Sequence, residues 1–344
     1  MDPAQLLALV AALKGRTVAV IGDVVVDEFV YGRVARVSRE APVLILEYDT
    51  TEIVAGGAGN AANNVAALGG RAALVASVGG DDAGRRLLRS LHAGVDSRST
   101  IQSRGATPVK TRILAGGVHS AKQQVVRIDR AVGAAIDVAT RKAFERAAVT
   151  AAQRADAVLI SDYGSGLVTP AFVSALRAAL RRIGHPVPML VDTRYQLLKF
   201  RGLTACTPNE SEVEAALGVR INDTPRALER AGREVLSRTG MQAVLITRGS
   251  RGMALFVKGT PTVHIPIVGS DEIADVTGAG DTVMAAMALA LAAGATFESA
   301  AWLANYAAGL VVMKRGTATV SAAELRRALS GPGLLPSPRL RRDT

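Results

Sequence analysis

The sequence predicts an α/β fold in which a mostly parallel sheet is flanked by helices and has a small β-sheet lid beside it. Three observations lead to this prediction. Short apolar runs that end in glycine or an acidic residue recur along the chain and alternate with helical stretches. The chain has 344 residues, which is enough for one large domain. Two segments that resemble β-ribbons interrupt the alternation, and they predict the second sheet.

Five runs predict strands of the main sheet, because each is apolar on both faces, as in a parallel sheet covered by helices on both sides. These runs are Thr17–Asp23, Arg71–Asp82, Asp156–Gly166, Pro188–Arg194 and Gln242–Gly252. Helices are predicted between them at Ala83–Leu91, Pro170–Ile183 and Pro225–Thr239. Ligands of such sheets bind beyond the carboxyl ends of the strands. The residues expected at that edge are Asp23, Asp162, Asp192 and Thr247.

The second sheet is predicted from Val43–Glu47 and from a ribbon of Lys110–Leu114 and Gln124–Asp129, joined by a Gly116-Gly117 loop. We expect a lid built from about residues 28–55 and 106–130, within a single domain over residues 1–330. Residues 331–344 are expected to form a loose C-terminal tail. The outer face of the lid is apolar enough to pair with a second copy, which predicts a homodimer.

Composition and charge narrow the class of function. The net charge is +11, from 41 basic and 30 acidic residues, and aromatic content is only 3%. A basic surface suits nucleic acid, acidic membranes or phosphorylated small molecules. The sequence has no dense basic block with interleaved aromatics and no arginine-led apolar signal segment. We therefore expect a cytoplasmic protein that binds small molecules, with no nucleic acid and no membrane among its partners.

Three further features are interpreted as structural. The uncharged run from Thr282 to Phe297 is shorter than the roughly 18 to 20 residues of a membrane span, and it predicts a buried helix. The single cysteine, Cys206, excludes an internal disulfide and is expected to be buried. No metal-ligand spacing is found among the histidines, which are His92, His119, His185 and His264.

The stretch DVTGAGD (Asp275–Asp281) predicts an anion site at the start of that helix. A glycine-rich turn before a helix exposes unpaired N–H groups, and the helix dipole adds positive potential. A carboxylate beside a bound phosphate, such as Asp281, can take a proton from a hydroxyl that attacks a phosphoryl group. The alternative is that Asp281 is only a helix N-cap.

A second glycine-rich turn, AGGAGNAANNVAALGG (Ala55–Gly70), has two interpretations. Asn60 and Asn64 share one helical face, and their amides match the hydroxyl groups of a sugar; helix capping is the bland alternative. Gly57 to Ala62 also match the dinucleotide fingerprint, which would indicate an NAD-dependent oxidoreductase. That fingerprint requires a clean apolar strand directly before it, and Asp49–Val54 is polar and short.

Two acidic motifs complete the set. In GDVVVDEF (Gly22–Phe29), Asp23 and Asp27 are four residues apart around the end of the first strand, where carboxylates could accept sugar hydroxyls or simply be loop acids. In TPNESE (Thr207–Glu212), Asn209 and Glu212 begin a helix. They could hold hydrated magnesium near phosphates, or form a capping box.

Together and in this order, these motifs resemble the ribokinase-like (phosphofructokinase-B) sugar kinases, from about Thr17 to Leu329. The resemblance implies the fold of sheet and lid described above, ATP and Mg²⁺ as cofactors, and a role for each matching position. The catalytic base would be Asp281, with an anion hole formed by Gly278, Ala279 and Gly280. The sugar would contact Asp27, Gly57, Asn60, Asn64 and Asp162. The nucleotide would contact Thr247, Gly249, Gly252 and Asn305. Mg²⁺ would be organised by Asn209 and Glu212, and a K⁺ loop of some members is matched by Asp275 and Thr277.

A narrower stretch, Val20–Glu47, is similar to the start of the heptose 7-phosphate kinases of lipopolysaccharide precursor synthesis, as are LISDYGSG, TPNESE and KRGTATVS. This implies a sugar phosphate as substrate. Where those kinases tend to have Asp-Pro-Lys-Gly, this chain has Asp192-Thr193-Arg194-Tyr195. Basic residues that could hold the phosphate of the sugar are Arg36, Lys110, Arg112 and Arg194. In that group the kinase is sometimes fused to a nucleotidyltransferase, and we expect none within these 344 residues.

Two other functions remain open from the residues. The chain could phosphorylate a different sugar, such as ribose or a hexose phosphate. It could also be a catalytically silent sugar sensor, although a sensor has no need for the base in GAGD.

Overall fold

A nine-stranded sheet forms the centre of the molecule in the computed structural model, which describes residues 1–116, 122–131, 135–221, 224–268, 275–314 and 316–331. Its strands are β1 (Thr17–Gly22), β4 (Arg71–Val75), β6 (Val95–Asp96), β10 (Ala157–Asp162), β11 (Met189–Thr193), β12 (Ala205–Cys206), β13 (Ala243–Thr247), β14 (Met253–Val257) and β15 (Val263–Ile265). The order across the sheet is β15-β14-β13-β12-β11-β10-β1-β4-β6. Neighbours from β6 to β13 are parallel, and β14 and β15 are added antiparallel at one edge.

Helices cover both faces of this sheet. In the described ranges they are α1 (Pro3–Ala12), α2 (Ala58–Ala67), α3 (Asp82–Arg89), α4 (Val138–Ala152), α5 (Pro170–Arg182), α6 (Glu210–Leu217), α7 (Pro225–Thr239), α8 (Ala279–Ala292), α9 (Phe297–Val311) and α10 (Ala322–Ser330). Successive strand residues point to opposite faces. Val20 therefore packs in a core with α1, α2, α8, α9 and α10, while Ile21 packs with α4, α5, α6 and α7. This two-sided burial explains why the strands are largely apolar on both faces.

The second sheet is larger than the sequence suggested. It consists of β2 (Val24–Val37), β3 (Leu44–Gly57), β8 (Val109–Gly116) and β9 (Gln123–Arg130), in the order β3-β2-β8-β9. The predicted strand Val43–Glu47 is only the far end of β3, which runs back to the main domain. Strand β2 was not predicted as a separate element, because only Asp23 separates it from β1. Residue 117 of the predicted Gly116-Gly117 loop lies outside the described residues.

One predicted strand of the main sheet is wrong in its extent. Arg71–Asp82 divides into β4 and β5 (Ser77–Gly79), and β5 leaves the main sheet to pair with β7 (Ile101–Ser103). The helical predictions end within one or two residues of α3, α5 and α7. Of the predicted C-terminal tail, residues 332–344 lie outside the described residues.

Helix α8 is the buried helix that the uncharged run predicted. It is built from Ala, Leu and Met, and its residues from Asp281 to Ala290 are all buried. It packs against α2, α9, β10 and β11. Its first turn is held by this packing at the carboxyl edge of the parallel strands, where the site lies. Among the described helices, none has the length and hydropathy to cross a membrane.

Candidate active site

Asp281 lies in the first turn of α8 and is not its N-cap. The N-cap position belongs to Gly278, in a left-handed conformation with φ 79°. The Asp281 carboxylate instead accepts hydrogen bonds from Asn60 Nδ2 at 2.8 Å and from the hydroxyl of Tyr163 at 3.2 Å. The capping alternative for Asp281 is therefore wrong, and its carboxylate points to the carboxyl edge of the sheet.

Burial raises the pKa of Asp281 to about 7. The hydrogen bonds from Asn60 and Tyr163 oppose this rise, because they favour the charged form, and nearby Lys110 opposes it too. The negative charge of Asp27 adds to the rise. A carboxylate with a pKa near neutrality is suited to accept a proton at physiological pH.

A chain of amides positions this carboxylate. The Thr282 hydroxyl donates to Asn64 Oδ1 at 3.0 Å, and Asn64 Nδ2 donates to Asn60 Oδ1 at 3.1 Å. Asn60 then donates to Asp281, so its amide has a fixed orientation. Both asparagines are buried within α2, and the N-cap position belongs to Gly57, which excludes the capping alternative for them.

Gly57 ends β3 and begins α2 in a conformation that favours glycine, with φ 60°. A Cβ atom at this position would lie 2.5 Å from the carbonyl oxygen of Asp23. The strand that leads into this turn is antiparallel and belongs to the second sheet. A dinucleotide-binding turn follows a parallel strand of the main sheet, so the structure contradicts the oxidoreductase interpretation.

Three predicted sugar contacts lie together on the second sheet. Asp27 on β2 pairs in register with Lys110 on β8, so both side chains project from the same face. Arg112 projects from that face as well, and its Nη1 donates to the Asp27 carboxylate. Lys110 Nζ lies 5.5 Å from the centre of the Tyr163 ring. Asp27 is on β2 and not at the end of the first strand, which corrects the predicted pairing with Asp23.

Asp23 and Asp162 are used within the protein. Asp23 accepts the backbone N–H of Tyr163 at 2.9 Å and the Ser165 hydroxyl at 2.5 Å. Asp162 accepts the N–H of Gly164 at 3.0 Å and the Thr193 hydroxyl at 2.7 Å. Both carboxylates hold the loop after β10, so a sugar would have to compete with these bonds for Asp162.

A cavity of about 590 Å³ lies between the ends of β10, β11 and β13 and the helices α8 and α9. It is in the size range of small-molecule sites. All the predicted nucleotide contacts line it: Thr247, Gly249, Gly252 and Asn305. Its wall is otherwise formed largely by small and apolar residues, including Ala279, Val283, Ala308 and Gly309. The Asn305 amide donates to the Pro266 carbonyl at 2.8 Å.

Two carboxylates at the cavity wall, those of Asp192 and Glu212, fit a divalent cation. Asn209 and Glu212 form the capping box that was the alternative for this motif, with both bonds at 2.9 Å. Burial raises the pKa of Glu212, and burial together with the charges of Asp281 and Glu212 raises that of Asp192. Asp192 accepts no hydrogen bond from any described side chain. A hard cation beside Asp192 and Glu212 would relieve the repulsion between their negative charges. Oxygen ligands are the ones that Mg²⁺ prefers.

Protein ligands alone would not enclose that cation. Within the described residues, no group of three or more His, Cys, Asp or Glu side chains is arranged to hold a metal. Indirect binding of hydrated Mg²⁺ through Asn209 and Glu212 stays a prediction. Cys206 is buried as predicted, and burial raises the pKa of its thiol.

The predicted K⁺ loop is only partly described. Asp275 accepts the N–H of Thr277 at 2.8 Å and that of Gly316 at 3.0 Å, so it ties the turn before α8 to the chain after α9. Residues 269–274 and 315 lie outside the described residues. Potassium binding by Asp275 and Thr277 stays a prediction.

The basic residues predicted to hold the phosphate of the sugar lie at different places in the structure. Arg194 is exposed at the cavity, where its charge partly opposes the rise in the pKa values of Asp192 and Glu212. Lys110 and Arg112 lie beside Asp27. Arg36 is nine residues beyond Asp27 on β2, or about 30 Å along the strand. It is therefore too far away to hold a phosphate in the same site.

Two residues of the site had no role predicted from the sequence. Tyr163 was not indicated, and Asp192 was expected at this edge without a role. Their positions were the available signal. Tyr163 directly follows β10, in LISDY, and Asp192 lies one residue before the end of β11, in LVDT. Neither residue type forms a recognisable pattern there.

A comparison with known proteins identifies the family of this chain. A profile described as "pfkB family carbohydrate kinase" matches residues 17–324. The protein named Bifunctional protein HldE from Geobacter metallireducens is 41% identical over 328 residues, which are 94% of this chain and 65% of the relative. The protein of the same name from Caulobacter vibrioides is 42% identical over 335 residues, 96% and 66% of the two chains. This chain thus spans just under two thirds of the length of these curated relatives.

Solved structures share the fold. Ribokinase from Arabidopsis thaliana, complexed with ribose and ATP, aligns with a TM-score of 0.69 and 20% identity, over 92% of this chain and 99% of that one. Phosphofructokinase-2 from Escherichia coli, in complex with fructose-6-phosphate, aligns with a TM-score of 0.72 and 17% identity, over 92% and 98%. At these identities the likeness shows the fold, and it confirms the predicted ribokinase-like architecture.

Proposed function

The chain belongs to the pfkB family of carbohydrate kinases, and from that premise we propose that it phosphorylates a sugar phosphate with ATP. The proposed substrate is D-glycero-β-D-manno-heptose 7-phosphate, phosphorylated at its anomeric hydroxyl to give the 1,7-bisphosphate. The similarity to the two HldE proteins and the heptose-kinase-like stretch Val20–Glu47 support this substrate.

The observation that best supports this function is the environment of Asp281. Its carboxylate is buried at the start of α8, has a pKa of about 7, and is oriented by Asn60 and Tyr163. These are the properties expected of a general base that must lose its proton near neutral pH.

In the proposed reaction, Asp281 takes the proton of the sugar hydroxyl as the hydroxyl oxygen attacks the γ-phosphorus of ATP. The bond from this phosphorus to the bridging oxygen breaks, and ADP leaves with that electron pair. Backbone N–H groups at Gly278 and Gly280 would stabilise the charge on the transferring phosphoryl group, and that of Ala279 would join them on releasing its bond to the Val276 carbonyl at 3.2 Å. The positive end of the α8 dipole acts in the same direction.

The two substrates would enter from different sides of Asp281. The sugar would lie against the second sheet, with Asp27, Gly57, Asn60 and Asn64 near its hydroxyls. Lys110, Arg112 or Arg194 would hold its 7-phosphate. ATP would occupy the 590 Å³ cavity with its phosphates near Thr247 and Gly249 and its adenine beside Asn305. A role for Asp162 in sugar binding would require it to release one of its internal bonds.

Magnesium would be held through Glu212 and Asn209, with Asp192 as a further carboxylate. When bound, such an ion neutralises charge on the phosphates. We also propose that the second sheet acts as a lid, that the site responds to K⁺ through Asp275 and Thr277, and that the protein is a homodimer.

The test is a substrate panel. The purified chain is given ATP, Mg²⁺ and one sugar at a time: heptose 7-phosphate, fructose 6-phosphate, ribose or no sugar. ADP release is followed, and ³¹P NMR identifies the product. We expect the highest kcat/KM with heptose 7-phosphate and a new anomeric phosphate signal. A preference for an unphosphorylated sugar would replace the heptose proposal with a ribokinase-type substrate.

A further inference from the structure

Tyr163 joins three parts of the candidate site. It directly follows β10, and its hydroxyl donates to Asp281 on α8 at 3.2 Å. Its ring lies under Lys110 of β8. On the remaining side the ring lies against the turn at Gly57, where a Cβ atom would approach it to 3.4 Å.

We propose that Tyr163 is a positioning residue that fixes the carboxylate of Asp281 and favours its ionised form. The proposal rests on the function proposed above, in which Asp281 is the base. It adds a role for a residue that needs no contact with either substrate.

The geometry gives Asp281 two separate anchors. Asn60 donates to Oδ2 and Tyr163 donates to Oδ1, so rotation of the carboxylate breaks at least one bond. The tyrosine itself cannot swing away easily. Its backbone N–H is bonded to Asp23, and its ring is enclosed by Lys110 and the Gly57 turn.

Tyr163 remains a donor throughout the working pH range. The charge of Asp281 raises the pKa of the phenol well above its usual value, and burial adds to the effect. The ionisable groups that face Asp281 from the surrounding elements are Asp27 on β2, Lys110 on β8, Tyr163 after β10 and Asp192 on β11. Of these, Tyr163 is the one that donates a hydrogen bond to the Asp281 carboxylate.

Removal of the hydroxyl tests the proposal without any substrate. Tyr163→Phe keeps the ring and its contacts and removes only the donor. Titration of the Asp281 carboxyl is followed by ¹³C NMR on protein labelled at aspartate, with the signal assigned by its loss in Asp281→Asn. We expect the midpoint to rise by about 0.5 to 1 pH unit, which matches the net contribution of one typical intramolecular hydrogen bond.

The matched control is Tyr195→Phe. Tyr195 is exposed, and its hydroxyl makes no hydrogen bond with a described residue. Its ring lies next to Gly164, which belongs to the same loop as Tyr163. This variant should titrate as wild type. A second measurement uses the intact chain grown with 3-fluorotyrosine, which is a stronger donor, and the midpoint should then fall. A midpoint that is unchanged in Tyr163→Phe, or that moves equally in Tyr195→Phe, overturns the proposal.

Kinetics separate this inference from the proposed function. With the sugar that wild type accepts best, Tyr163→Phe should lower kcat about 3- to 10-fold at pH 6 and less than 2-fold at pH 9. The KM for ATP should not change. An equal loss at both pH values would indicate a structural role and contradict the proposal. Failure of wild type on heptose 7-phosphate would instead overturn the substrate, and the NMR result would stand.

Discussion

At the scale of single residues, burial of Asp281 is the dominant feature. The carboxylate is buried beside a second acid, Asp27, and among the described residues two hydrogen bonds and a nearby lysine support its charge. This arrangement disfavours the ionised form, as expected of the proposed general base, which must exchange its proton near neutral pH.

The catalytic consequence is tested by Asp281→Asn. The variant should keep ATP and sugar binding, measured by calorimetry, and lose turnover by about 10² to 10⁴, the usual contribution of a general base. Turnover within a few-fold of wild type would show that Asp281 has no role as a base.

The same burial predicts a pH-dependent stability. The pKa of Asp281 is about 7 in the folded state, against 3.8 as the reference value. As pH rises from about 4 to 7, the unfolded chain ionises this group before the folded one does, so folding becomes less favourable. Asp281→Asn removes the effect. Its melting temperature relative to wild type should therefore be higher at pH 8 than at pH 4.5, and an equal difference at both pH values would contradict the assigned burial.

Local sequence patterns predicted three side chains that the structure brings into contact. Asp281, Asn60 and Asn64 occur in glycine-rich turns with fixed spacing, and the structure brings all three together. Tyr163 could not be found in this way, because its partner lies 118 positions away along the chain. Such a contact depends on where β10 ends relative to α8, which no local pattern encodes.

At the scale of elements, the turn before α8 has little freedom. Gly278 adopts φ 79°, and a Cβ atom there would lie 2.5 Å from Asn60 Nδ2. Gly280 is two residues further on, and a Cβ atom there would meet nothing within 4 Å. Backbone conformation and lack of space therefore require glycine at position 278, and neither requires it at position 280.

Alanine at each position tests this difference. Gly278→Ala should lower the free energy of unfolding by about 1 to 3 kcal/mol, because it adds backbone strain and displaces Asn60. Gly280→Ala should leave that free energy within about 0.5 kcal/mol of wild type, or slightly raise it, since alanine favours helix. Urea unfolding of both variants measures it. Equal stability of the two would contradict the assigned turn.

Element prediction was good for the main sheet and poor for the second one. Runs such as Ala157–Asp162 begin with consecutive apolar residues and are buried at every position, as expected of a strand covered on both faces. Strands β2 and β3 are exposed over much of their length and therefore lack that pattern. Their lengths depend on pairing with each other, which is a long-range property.

At the scale of the whole molecule, the second sheet has two unlike faces. Asp27, Lys110 and Arg112 project from the face towards the site. By alternation, Val126 and Ile128 of β9 project from the opposite face, and both are about half exposed, at 47% and 46%.

The charged face predicts how a phosphorylated sugar is held. Lys110 is partly buried, and its ammonium forms no ion pair with a described residue. Lys110→Ala should raise the KM for the sugar phosphate about 10- to 100-fold, as expected for a charged hydrogen bond, and leave the KM for ATP unchanged. Arg36→Ala, at a position about 30 Å from Asp27 along β2, is the control and should change neither KM. If neither Lys110→Ala, Arg112→Ala nor Arg194→Ala alters the sugar KM, the heptose phosphate proposal is wrong.

The face that carries Val126 and Ile128 predicts the homodimer. If a second copy covers it, wild type should sediment as a dimer at micromolar concentration, and Val126→Glu should shift it towards monomer, because a charge would be buried without a partner. Val138→Glu, at an exposed position on α4, serves as control. A wild-type monomer would remove the dimer proposal and leave the lid proposal intact.

The alternation of β2 also limits how the length of this protein can change over evolution. Asp27 faces the site, while its neighbour Glu28 faces away and binds Thr111 and Arg130. Deletion of one residue between Val24 and Val26 would exchange these two acids across the sheet. Residues 38–43, at the far end between β2 and β3, lie outside the strands. Insertions and deletions in homologous genes should therefore accumulate at that end, and any near Asp27 should come in pairs.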